Sequence, residues 1–230
     1  GKSALPDIAS AWGKRNMQEF SRNIRILFSG VFVIGLPLCF MLGMIAELVL
    51  NLMYSSRQAE IEVSVLPLQI LCFGGISLAF SAAIFSVFQA IGKSELPVKL
   101  MMLCASMKLI GNLIFTQIPS LSICSAAIST VISHFVICVI GIVALKKTTC
   151  VKVGLGALFG RPFAAATAGA VTVYIMYSFV IPTESFSQLL RVCMSVAAGG
   201  LVYLIMLALL DRRIVRRFSA KALAKNANMS

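Results

Sequence analysis

The chain has 230 residues, of which 59% are hydrophobic and only 12% charged, and its mean hydropathy is +0.96. A water-soluble globule of this length has no means of hiding so much apolar surface, and a disordered chain carries far less Leu, Ile, Val and Phe. These values describe an integral membrane protein. The net charge of +12 then calls for an explanation in topology, and nucleic-acid binding is not expected because the basic residues are dispersed over short loops.

Six charge-poor stretches are long enough to cross ~30 Å of hydrocarbon, which takes about 20 helical residues. In chain order the predicted spans are 26–46, 67–91, 98–118, 121–145, 162–181 and 189–210, giving an all-α, six-helix transmembrane bundle. Residues 1–25 hold too many polar side chains for a secretory signal and are expected to be the end of a preceding helix followed by a loop. The first span carries Pro37 at its centre, where a missing amide and a ring clash predict a kink, so Pro37 is the candidate hinge. Pro119 and Ser120 predict a tight turn between the third and fourth spans. Pro162 suits a helix start, and Pro182 follows the fifth span. Ala165, Gly169, Ser195 and Gly199 are small residues suited to close helix packing in the last two spans.

Lysine and arginine distribution orients the spans. One side of the membrane receives Lys14, Arg15, Arg22 and Arg25, then Lys93 and Lys99, then Lys146, Lys147, Lys152 and Arg161, then the tail Arg212, Arg213, Arg216, Arg217, Lys221 and Lys225. The other side receives Arg57 and Arg191 alone. Both termini are therefore expected to be cytoplasmic. The basic tail, residues 211–230, places Ile214, Phe218 and Ala222 on one helical face and Arg213, Arg217 and Lys221 on another. Two readings fit it: a helix gripping anionic lipid headgroups, or an exposed basic end.

Lys108 is the residue that composition alone does not explain. Eleven residues separate it from Pro97 and eleven from Pro119, so at 1.5 Å per residue it lies about 16 Å from either end of its helix, near the midplane. An ammonium there is expected to face a protein interior or a hydrated cavity, because lipid exposure costs at least ~2.5 kcal/mol. Cys104, Lys108, Asn112 and Thr116 follow i, i+4 spacing and form one polar stripe. Lys108, Asn112 and Thr116 are candidates for lining a substrate cavity, the alternative being a structural lysine bonded to a neighbouring helix. On the next span Ser129, with Ser125 and Ser133, forms a matching polar face, and His134 lies near mid-depth. Each has a packing or back-bonding explanation beside the functional one.

Chemistry other than transport finds little support. The seven cysteines have no metal-ligand spacing and read as reduced packing residues. The single histidine has no acidic partner within a turn or two, and Glu47, Glu60, Glu62 and Glu184 lie toward one membrane face. No Gly-rich nucleotide loop occurs. No enzyme, metal site or cofactor is expected.

Taken in order, several motifs resemble the C-terminal half of the multidrug/oligosaccharidyl-lipid/polysaccharide flippase superfamily, and most nearly its polysaccharide-biosynthesis branch, the stage V sporulation protein B-like proteins. They are Ala4-Leu5-Pro6-Asp7-Ile8-Ala9 with Gly13-Lys14, Leu52-Met53-Tyr54, Phe88-Gln89-Ala90-Ile91-Gly92-Lys93 with Pro97, Lys108-Leu109-Ile110-Gly111-Asn112 continuing to Pro119, and Ala126-Ala127-Ile128-Ser129-Thr130. The resemblance covers about residues 4–145. It implies one lobe of a two-lobe flippase in a bacterial plasma membrane, completed by an N-terminal half of the same protein. It further implies alternating-access translocation of a polyprenyl-linked sugar lipid, with membrane lipids as the other partner. A drug/cation antiporter of the same superfamily and a non-transporting assembly partner of cell-envelope enzymes are the alternatives.

Overall fold

The computed structural model describes residues 5–54, 58–119, 121–149, 154–180 and 188–210. The basic tail 211–230, Arg57, Lys152, Pro182 and Glu184 lie outside the described residues. Among the described residues the protein is all helix, with no strand: α1 Leu5–Gly13, α2 Met17–Met44, α3 Ala46–Met53, α4 Gln58–Ala90, α5 Glu95–Thr116, α6 Ser125–Thr149, α7 Leu155–Ile175 and α8 Gln188–Leu210. α7 runs on as a π-helical turn, Met176–Val180. Six of these helices are long and apolar enough to cross a membrane, and the protein is a multi-pass membrane protein.

Local chemistry sets the helix ends beyond the charge-free windows. Residues 17–25 are not loop but the first turns of α2, because Asn16 caps it: the Glu19 amide donates to Asn16 Oδ1 at 3.2 Å and Asn16 Nδ2 donates to Glu19 Oε2 at 3.2 Å. The first bond satisfies a free amide at the helix start and the second holds the capping side chain in place, so the helix continues outward through Arg25 and Arg22. α4 likewise begins at Gln58, well before residue 67. α6 starts only at Ser125, since 121–124 are turns, and extends to Thr149 past Lys146 and Lys147. Between α4 and α5, Gly92 adopts φ +76°, and the Lys93 amide reaches back to the Phe88 carbonyl at 2.9 Å. That left-handed position favours glycine.

The spans form a row rather than a closed ring, in the order α5, α6, α4, α2, α7, α8. α4 lies between α2 and α6, and α2 between α4 and α7. Consecutive helices are therefore not always neighbours: α4 barely touches α5, and α6 makes no contact with α7. The centre of the row is held by rings. Phe28 and Phe32 of α2 meet Phe80 of α4 at 4.8 and 4.9 Å between centroids. Phe32 meets Phe159, which stacks on Phe163, and Phe163 meets Phe40, which meets Phe73. Lipid is as apolar as these side chains, so their contribution is close packing and ring geometry rather than escape from water. At the far end, α7 and α8 approach backbone to backbone. A Cβ on Gly199 would lie 2.8 Å from the Gly169 carbonyl oxygen, and Ala165 and Ser195 are fully buried in the same seam.

Candidate functional site

α5 is one edge of the row, and only 11% of its most apolar window is buried within the protein. Its seam with α6 is fixed by Leu100 and Cys104, both buried, and by Gly111, where a Cβ would come 3.1 Å from Ser129 Cβ. With these residues facing α6, Lys108, Asn112 and Thr116 fall on the adjoining flank, and all three are exposed.

At the foot of the stripe Thr116 Oγ1 donates to the Asn112 carbonyl at 2.6 Å and lies 3.1 Å from Ser125 Oγ, joining α5 to α6. Lys108 has no hydrogen bond or ion pair among the described residues, and so no carbonyl of a neighbouring helix holds it there. The described ion pair on α5 is Lys99–Glu95 at 3.4 Å, fully at the helix end. A mid-depth ammonium beside an amide and a hydroxyl, on the least covered helix, is suited to an anionic headgroup that brings its own water.

Of the α6 serines, Ser125 meets the foot of this flank through Thr116, while Ser129 and Ser133 stand apart from it. Ser125 and Ser129 donate to the carbonyls of Ser122 and Ala126, three residues back, at 2.8 and 3.2 Å. Ser133 donates to Ser129 at 2.6 Å. All three are buried. Ser129 thus lies inside the α5–α6 seam with its hydroxyl bonded to its own helix. His134 also turns elsewhere: it lines a crevice against α4 that includes none of Lys108, Asn112 and Thr116.

Pro37 sits buried inside an α2 that is helical from Met17 to Met44, and the helix break comes later, at Ile45. The residue that manages Pro37 is Tyr203 of α8, whose hydroxyl donates to the Val33 carbonyl at 2.6 Å. Sequence reasoning did not foresee this bond, nor the placement of Arg191. Expected as an interfacial charge, Arg191 is only 7% exposed. Its Nη2 donates to the Tyr177 carbonyl at 3.0 Å, its guanidinium lies 4.7 Å from the Tyr177 ring centroid, and its Nε has no hydrogen-bond partner among the described residues. The signal available in the sequence was a Tyr fourteen residues before an Arg across a span-to-span turn, which is too weak to act on. No group of His, Cys, Asp and Glu suited to a metal ion occurs among the described residues.

Comparison with known proteins adds two findings. The chain is 27% identical over 147 residues to an uncharacterized membrane protein of Methanocaldococcus jannaschii, an alignment covering 64% of this chain and 28% of the archaeal protein. The chain therefore spans well under half the length of that relative. Residues 4–114, which run from α1 through nearly all of α5 and include Lys108 and Asn112, match the MatE family model.

Proposed function

We propose that this chain forms one lobe of a flippase that moves a lipid-linked oligosaccharide or polysaccharide precursor across a bacterial plasma membrane by alternating access, with both termini cytoplasmic. The observation that carries the reading is Lys108, a mid-depth lysine with no hydrogen bond or ion pair among the described residues, on the exposed flank of α5 beside Asn112 and Thr116. A polyprenyl pyrophosphate-sugar keeps its tail in lipid, while its anionic head cannot cross ~30 Å of hydrocarbon unaided. A hydrated cationic flank lowers that barrier, and a second lobe, supplied by further chain, forms the opposite wall. The MatE match supports transport, and the length of the archaeal relative leaves room for that second lobe.

The competing reading, a drug or cation antiporter, shares the fold and differs in the charge of its cargo. Reconstituting the full-length protein in vesicles and offering a fluorescent lipid-linked pyrophosphate sugar beside a lipophilic cationic dye separates the two. Transbilayer movement of the sugar lipid without dye export supports the flippase. Dye export driven by an ion gradient, with no sugar-lipid movement, overturns it.

A further inference from the structure

His134 lies at mid-depth on α6 and faces α4 across a crevice of about 40 Å³, lined by Leu71, Gly74, Ser77, Leu78 and Thr130 among others. That is room for a water molecule. Its Nδ1 is 2.9 Å from the Thr130 carbonyl. A carbonyl only accepts, so the neutral ring carries its proton on Nδ1 and presents the Nε2 lone pair, which has no hydrogen bond among the described residues. Ser77 Oγ donates to the Gly74 carbonyl at 2.6 Å, leaving its own lone pairs as an acceptor on the opposite wall.

We propose that this crevice is a proton-binding site whose occupancy controls the separation of α4 and α6. Protonation adds one proton from water to the Nε2 lone pair, breaks no other bond, and turns the ring into a cation with donors on both nitrogens. The new Nε2–H then needs an acceptor, and Ser77 Oγ reached through one water provides it.

Among the described residues no opposite charge lines the crevice to hold the cation. Of the residues α4 presents to the crevice, none titrates, and α6 adds Thr130 and Val131. Cys138, one turn along α6, gives its thiol to the Ser77 carbonyl at 3.1 Å. Cys39 of α2 stands behind Gly75, on the other side of α4. On α5, Gly111 lies opposite Ser129, which sets Lys108 at the level of Ile132, across the other seam of α6. A charge without a partner in an apolar crevice is costly unless water enters with it. Proton uptake and hydration are therefore one event. The crevice widens at Gly74 against Val131, a contact so tight that a Cβ on Gly74 would collide with the valine.

The inference is independent of what cargo is carried. In the full-length protein in nanodiscs, the ring ¹⁵N signals of His134 are identified by their loss in His134→Gln. Expected at high pH is the Nδ1–H tautomer, passing to a doubly protonated ring as the pH is lowered. Spin labels at the exposed positions Leu78 and Phe135 should move apart over the same range in the wild type and stay fixed in His134→Gln. An Nε2–H tautomer, a ring that does not titrate, a fixed separation, or a movement that persists in His134→Gln would each overturn the proposal. The tautomer and titration readouts use the unaltered protein, so a poorly folding variant does not obscure the result.

Discussion

Tyr203 of α8 donates its hydroxyl to the carbonyl of Val33 in α2 at 2.6 Å, and Val33 is the residue four before Pro37. In an α-helix the amide of residue 37 would bond that carbonyl, and proline has no amide to give. Both partners are buried, with Val33 9% and Tyr203 5% exposed. Tyr203 thus replaces the bond that Pro37 removes, in a setting where water is not available to do so. The expected hinge is held shut by a residue 170 positions away in sequence. If α2 bends at Pro37 during function, α8 has to release it first.

This relationship predicts a double-mutant cycle. Tyr203→Phe should destabilise the protein by about 1 kcal/mol, because a buried carbonyl loses its donor. In a Pro37→Ala background, where the amide is restored, the same change should cost much less. Thermal or steric-trapping denaturation in detergent or bicelles measures all four proteins. Equal costs in the two backgrounds would break the link between Tyr203 and Pro37.

The α7–α8 seam predicts a contrast between adjacent glycines. Gly199→Ala should lower the melting temperature clearly, since its Cβ would press on the Gly169 carbonyl and Val173. Gly200→Ala meets nothing within 4 Å and should leave stability unchanged or slightly raised. Melting curves of the two variants, side by side, check the direction.

Arg191 predicts that charge alone will not suffice. Arg191→Lys keeps the cation but loses the planar group that both bonds the Tyr177 carbonyl and lies over the Tyr177 ring. Amide exchange should quicken in the π-helical turn Met176–Val180 and the first turns of α8, while α4 and α6 keep their protection. Unchanged exchange in Arg191→Lys would mean that the ring and carbonyl contacts are dispensable. By comparison, Lys99→Ala should be silent, because its pair with Glu95 is exposed on both sides.

Accessibility distinguishes the polar flank of α5 from its apolar faces. In a cysteine-free background, Asn112→Cys should react with a membrane-impermeant thiol reagent in the full-length protein, and Leu109→Cys, 64% exposed in this chain but apolar in its surroundings, should not. Equal labelling of both, or of neither, would place the flank outside any hydrated path.

What could be read from the sequence follows from what is local. Span number and the depth of Lys108 depend on runs of apolar residues and on Pro97 and Pro119, all within one helix. The polar stripe is legible for the same reason, as i, i+4 spacing survives folding unchanged. Which face meets which neighbour is not local. Ser129 and His134 share α6 with similar polarity, yet Ser129 enters the α5 seam because Gly111 stands opposite, and His134 meets α4 because Gly74 does. The bond from Tyr203 to Val33 needs α8 beside α2, a contact that no hydropathy pattern announces. Helix starts were misplaced for a different reason: a count of uncharged residues stops at Arg25, whereas the Asn16–Glu19 cap carries α2 beyond it.

The central claim, that Lys108 attracts an anionic headgroup along a polar flank, is tested most directly by translocation of a lipid-linked pyrophosphate sugar in vesicles containing the full-length protein with Lys108→Ala or Lys108→Glu. The predicted result is a rate reduced by Lys108→Ala and reduced further by Lys108→Glu, with unchanged insertion and melting temperature. Wild-type rates in both variants would contradict it.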